Sequence, residues 1–205
     1  MRAGEEHADI DVIVIGIDPG IAGAFAFLSD DGVLQDVVDM PTDRIEKAVG
    51  AATRGRRRAT GKVLSTKATG NVVSASGVWD LLDGFDGGNA VAFMERLVGM
   101  PAKVDPKTGV RRTMGAASML SYGRGGGLIE MALLAKGIGL TLVSAVTWKR
   151  VVSCPTGKDA ARMRATQQFP AFSSRFKLVK NDGVAESCLI AMYGAMTLNS
   201  GKLAA

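Results

Sequence analysis

The sequence predicts a mixed α/β sheet with an antiparallel edge, and three observations carry that expectation. Val12 to Ile17 (VIVIGI) is an unbroken apolar run, as in a central strand buried on both faces. Two further strand-like segments follow almost at once, which implies an antiparallel meander, because parallel neighbours need a long crossover between them. Helix-like and strand-like segments then alternate, the order that lays parallel strands beside the meander.

Asp18-Pro19-Gly20 ends the first strand, and Gly23 to Leu28 (GAFAFL) forms the second. The turn Ser29-Asp30-Asp31-Gly32 leads into a third strand, Val33 to Met40. Thr53 to Gly70 lacks a clean period and reads as a loop or short hairpin. A helix is expected from about Ala75 to Leu82, a turn from Gly84 to Gly88, and a strand from Asn89 to Met94 with Glu95 at its end. A polar loop from Gly99 to about Ala116 precedes a helix over Leu128 to Lys136, which Gly137-Ile138-Gly139 stops. Leu140 to Val143 is a short strand, Asp159 to Gln168 a helix ended by Pro170, and Gly183 to about Leu198 a closing helix. The expected division is a flexible leader over residues 1–10, one domain over 11–198 and a tail over 199–205.

Composition narrows the chemistry. The 205 residues suit one domain, and 47% hydrophobic content suffices for a core. No apolar run approaches the ~20 residues needed to cross a bilayer. The opening MRAGEEHADI is polar and mixed in charge, unlike a secretion signal, so an intracellular protein without membrane partners is expected. Cys154 and Cys188 stand far apart without CxxC spacing, which argues against a zinc site or a disulfide. The single histidine, His7, lies in the leader. Serine-type triads, histidine-activated thiols and zinc hydrolase sites are thereby nearly excluded.

The formal charge is +5, and the isoelectric point is near 9.4. Arg54, Arg56, Arg57, Arg58, Lys62 and Lys67 crowd one stretch; Lys103, Lys107, Arg111, Arg112 and Arg124 occupy another. Either alone reads equally well as a solvated loop. Two such stretches in a chain with clustered acids favour contact with a phosphate backbone.

Four carboxylates attract most interest. Asp18 follows the most buried strand, and Glu95 ends another, at the strand ends where α/β sheets collect ligands. Asp182 and Glu186 are one helical turn apart, on one face. Each has a plain structural reading: Asp-Pro-Gly as a turn, Glu95-Arg96 as a surface pair, Asp182 as a helix cap. Together, without histidine and with a basic surface, they suit a hard cation such as Mg²⁺, which takes oxygen ligands and keeps several waters. Two ions ~4 Å apart would activate a water and stabilise the leaving oxygen of a phosphodiester.

At this point the sequence resembles a family. Ile17-Asp18-Pro19-Gly20 with the Gly23-Ala24 strand is similar to the opening of RuvC-type Holliday junction resolvases, notably their phage-type and organellar branch. The resemblance continues through Met94-Glu95, Ser118-Met119, Tyr122 to Gly127, Trp148-Lys149, Lys158 to Arg162, Phe169-Pro170 and Asp182 to Ser187, spanning about residues 12 to 196. It implies an RNase H-like fold, a homodimer, and two-metal cleavage of symmetric strands in a four-way DNA junction, in a bacterial or phage-infected cell (cytoplasm or nucleoid). By position, Asp18, Glu95, Asp182 and Glu186 match the family's metal-binding acids; the last is Asp in many members, and the extra methylene moves the carboxylate oxygen. Lys149 and Lys158 match basic positions beside the scissile phosphate, and Mn²⁺ is expected to replace Mg²⁺. Arg111, Arg112, Ser118, Met119, Tyr122, Arg124, Lys149, Lys158 and Arg162 are the expected DNA contacts. Some readings stay open: Gly123 to Gly127 as a phosphate-binding helix start or a close-packing device, Trp148 as core or as a base-stacking platform, Lys158-Asp159 as catalytic or as a helix start.

Three alternatives compete. A flap or branched-DNA nuclease would share the same acids and differ only in substrate. An actin-like ATPase also opens with a strand, an Asp-x-Gly turn and a strand, but needs a second such domain and about twice this length; no nucleotide cofactor is expected. A silent junction-binding protein would not need all four acidic positions filled.

Overall fold

The computed structural model describes residues 12–48, 67–99, 103–104, 108–109, 111–157 and 159–203. Three strands, β1 (Ile13–Asp18), β2 (Ala24–Ser29) and β3 (Leu34–Asp39), form the expected antiparallel meander. A hairpin of β4 (Thr42–Ala48) and β5 (Lys67–Val73) follows, then α1 (Ala75–Leu81) and β6 (Ala90–Glu95). The short pair β7 (Lys103–Val104) and β8 (Arg111–Arg112) precedes the long α2 (Ala116–Ala135). The chain closes with β9 (Gly139–Val143), α3 (Ala145–Val151), α4 (Ala160–Gln168), 3₁₀ turns over Pro170–Phe176 and Val179–Asn181, and α5 (Asp182–Leu203).

The main sheet has the order β3-β2-β1-β6-β9, with β6 parallel to both β1 and β9. This is a mixed sheet, an antiparallel meander continued by two parallel strands. Alternation along β1 divides the core. Val14 belongs to the layer with α5, Trp148, Phe169 and Phe176, whereas Ile15 and Ile17 meet Val78 of α1 and Ile129 and Leu133 of α2. Each large side chain so buried contributes roughly 1.5–3 kcal/mol, and β1 collects that gain on both faces.

At Gly16 the sheet has no side chain to hold α5 away. An added Cβ would overlap the Ser187 carbonyl oxygen and lie 2.7 Å from Ala191 Cα. The helix backbone therefore rests directly on the strand, which also fixes how its first turn meets the strand's end.

Several elements differ from expectation. α2 begins at Ala116, well before Leu128, so Gly123 to Gly127 is helix interior and not a helix start with free N–H groups. Each glycine costs a helix up to ~1 kcal/mol against alanine, which hid the helix from its sequence. Tertiary contact accounts for two of them: a Cβ on Gly125 would lie 2.9 Å from Val73 Cγ2, and one on Gly126 would strike Leu97. The close-packing reading of this stretch is the one that holds. The start of β5, Lys67 to Gly70, falls in the region read as a loop or short hairpin and pairs with β4, a strand not anticipated, while Arg54 to Lys62 lie outside the described residues. α3 was not anticipated. α5 continues to Leu203, past the expected end at Leu198 and through most of the expected tail.

Two glycine substitutions separate these effects. Gly16→Ala should destabilise by at least ~2 kcal/mol in denaturant unfolding, because the obstacle is backbone. Gly123→Ala, in α2 with nothing within 4 Å of the new Cβ, should stabilise by up to ~1 kcal/mol.

Candidate metal centre

Asp18 is the last residue of β1 and Glu95 the last of β6. These strands run parallel with Ile17 opposite Met94, so the two acids leave the sheet side by side at its carboxyl rim. The Asp-Pro-Gly segment is a turn and a site component at once: the Gly20 N–H donates to Asp18 Oδ1 at 3.3 Å, and the Gly23 N–H closes onto the Gly20 carbonyl at 2.8 Å. α5 meets this turn at Gly183, where a Cβ would lie 2.5 Å from Asp18 Oδ2 and 2.7 Å from Gly23 Cα. One helical turn later stands Glu186. Its Oε1 accepts from Lys149 Nζ of α3 at 2.7 Å.

These groups feel one another's charge. Burial pushes the Asp18 carboxyl up to about 7, and Glu186 and then Glu95 push in the same direction; the Gly20 N–H and Lys149 oppose them. Burial raises Glu95 as well, with Glu186 adding and the Trp148 N–H opposing. Tyr122 of α2 is raised by burial and then by Asp18, Glu95 and Glu186, so its hydroxyl feels the charge of the same acids. Burial works against the Lys149 charge, but the hydrogen bond and charge of Glu186, then Glu95, outweigh it and raise that group. One ammonium thus faces three carboxylates. A divalent cation fits the remaining negative charge and the all-oxygen donor set. As placed, no three acidic, thiol or imidazole groups among the described residues form a closed ligand cluster.

Asp182 has a different neighbour. Its Oδ1 accepts from Arg162 Nε at 2.7 Å, while the same guanidinium pairs with Asp159 and donates to the Lys177 carbonyl at 3.1 Å. Asp182 and Glu186 both border a cleft of about 420 Å³, lined also by Lys149, Cys154, Gly157 and Asp159. Arg162 itself is 8% exposed. Expected as a DNA contact, it is instead spent on two carboxylates and backbone carbonyls inside the protein. Sequence position cannot distinguish an exposed arginine from a buried one that is paired within the protein.

The other expected contacts divide by place. Ser118, Met119 and Arg124 are exposed on α2, Tyr122 on that helix is half-buried toward the acids, and Arg111 and Arg112 form β8. Lys158 lies outside the described residues. Trp148 is core, fully buried, so it offers no stacking platform. The unforeseen part is its Nε1, which donates to Glu95 Oε2 at 2.8 Å. The signal available was chemical: a buried indole N–H needs an acceptor.

Asp18 makes the metal-free protein pH-sensitive. Its folded carboxyl keeps a proton up to about pH 7, whereas the unfolded one releases it near 3.8. Between those values the folded state binds more protons, so the contribution of Asp18 to stability is largest below the lower value and falls as pH rises through the upper one. Thermal unfolding in chelator should show Asp18→Asn more stable than wild type above pH 7, by a few kcal/mol at most at ~1.4 kcal/mol per unit. The difference should vanish toward pH 4.

No family model and no curated protein matches the chain. Among solved structures, the chain is similar to Thermus thermophilus RuvC in complex with a Holliday junction substrate, at 12% identity and TM-score 0.49, over 93% of this chain and 96% of that one. It is also similar to a second Thermus thermophilus RuvC structure, at 15% identity and TM-score 0.46, over 91% and 97%. At such identity the likeness concerns the course of the backbone, and the reading of the site rests on the residues described above.

Proposed function

We propose that this chain is a Mg²⁺-dependent endodeoxyribonuclease that resolves four-way DNA junctions, working as a homodimer in the cytoplasm or nucleoid. The observation that carries the reading is the crowding of Asp18, Glu95 and Glu186 around one lysine at the carboxyl rim of two parallel strands. Carboxylates raised by burial and by one another gain most from a hard cation. Asp18, Glu95 and Glu186 would hold it, with Asp182 at the border of the same cleft. A bound divalent ion supplies Lewis acidity toward water and phosphate, and Mn²⁺ is expected to substitute.

The chain's own groups have defined parts. Lys149 brings a positive charge to the rim, suited to neutralising a phosphate as charge develops on it. Tyr122 feels the charge of the acids, and Ser118, Met119 and Arg124, exposed on the same helix, are proposed DNA contacts. Arg111, Arg112 and Lys158 are further proposed DNA contacts, and the basic stretch Arg54 to Lys67 adds charge that releases counterions on binding. A two-fold substrate asks for two sites related by a two-fold axis, which a C₂ dimer provides.

The test is nicking of a synthetic four-way junction beside flap, fork and linear duplex controls. With Mg²⁺, the junction should be cut at paired positions in opposing strands, and chelator should stop the reaction. Asp18→Asn and Glu95→Gln should each lose at least ~100-fold in cleavage rate while still binding the junction. Normal cleavage by Asp18→Asn would end the metal-site assignment, and preference for the flap would move the substrate.

A further inference from the structure

Each of the four acids is tethered through one oxygen. Asp18 Oδ1 takes the Gly20 N–H at 3.3 Å, Glu186 Oε1 takes Lys149 at 2.7 Å, Asp182 Oδ1 takes Arg162 at 2.7 Å, and Glu95 Oε2 takes the Trp148 indole at 2.8 Å. The last tether differs in kind. Gly20 donates from the backbone, and Lys149 and Arg162 are cations. Trp148 is neutral, is fully buried, and owns one donor and no acceptor.

The sheet itself puts the indole there. Val143, the last residue of β9, pairs with Glu95 of β6. Ser144 then caps α3, its hydroxyl accepting from the Thr147 N–H at 3.1 Å. Trp148 follows within the first turns of that short helix, so its position relative to Glu95 depends on a strand register and a cap and not on a free loop. Around it the core includes Val143, Val152, Phe169 and Leu189. A side chain so enclosed has little freedom to swing, and it passes that constraint to the carboxylate it holds.

We infer that Trp148 is a positioning residue for the proposed metal site: its N–H holds Glu95 Oε2 and thereby leaves Oε1 in place for a cation shared with Asp18. The inference rests on the metal-dependent reading above. Among the described residues Oε1 makes no hydrogen bond, so it stays open for that role. The same ring has Lys149 Nζ 4.9 Å from its centroid, so one indole sets the place of an acid by its edge and touches a cation by its face. Partners that orient a metal ligand through its second atom generally support affinity for the ion.

Trp148→Phe keeps a ring beneath Lys149 and removes the N–H. Calorimetric titration of the full chain with Mg²⁺ and with Mn²⁺, without DNA, should show affinity lowered ~10–100-fold. Val152→Ala, which opens the same core without touching an acid, should lose thermal stability yet bind the ions as wild type does. Where Trp148→Phe does not fold, replacing the indole by benzothiophene keeps its shape and lacks the N–H, and the same loss of affinity is expected. In cleavage assays the defect should shrink as the metal concentration rises, and junction binding in chelator should be unchanged. Wild-type ion affinity in the N–H-deleted protein would overturn the inference and leave the nuclease reading standing, as would an equal loss in Val152→Ala. A wild-type protein that binds no divalent ion specifically would overturn both.

Discussion

The backbone of α5 lies on β1 at Gly16, without a side chain between them, and much of the molecule is arranged by that contact. Because Gly16 lets Ser187 and Ala191 approach the strand directly, the start of the helix is delivered to the strand's carboxyl end. Gly183 repeats the arrangement one layer higher, against Asp18 and Gly23. Two acids from distant parts of the chain, Asp18 and Glu186, are thereby held near each other by packing and against their mutual repulsion. The opposition is only tolerable because the two-sided core around β1 supplies far more than the repulsion removes.

The electrostatic consequence is a site that is uncomfortable by itself. Burial raises Asp18 and Glu95, Glu186 raises both further, and the ammonium of Lys149 is tied to Glu186. Strongly perturbed acids at a strand-end rim mark functional sites more often than structural ones. Arg162 shows the contrasting solution a short way off, where a buried guanidinium satisfies Asp159, Asp182 and a backbone carbonyl together. The same chain therefore contains acids that share a buried guanidinium and acids pressed mainly against one another.

Much of the fold was legible. The apolar run before Asp18, the meander after it and the strand ending at Glu95 all read correctly, because burial on a sheet leaves a pattern over only a few residues. α3 and the glycine-rich first half of α2 did not. The glycines of α2 obey a packing rule at Val73 and Leu97 that local propensity contradicts. At the site, Asp18 and Glu95 were visible from their strand ends and Glu186 from its spacing to Asp182. The roles of Arg162 and Trp148 were not, since each depends on which partner surrounds it in space.

By itself the sequence determined the strand order of the meander, the acids available, the single histidine and the net positive charge. Those are local or compositional properties, and a linear chain displays them. Only the tertiary structure decided that Asp18, Glu95 and Glu186 share one rim while Asp182 turns to Arg162, and that the Trp148 indole ends on Glu95. Such choices arise from the register between β1, β6 and β9 and from the close approach of α5, and these are relations between segments that no segment carries alone.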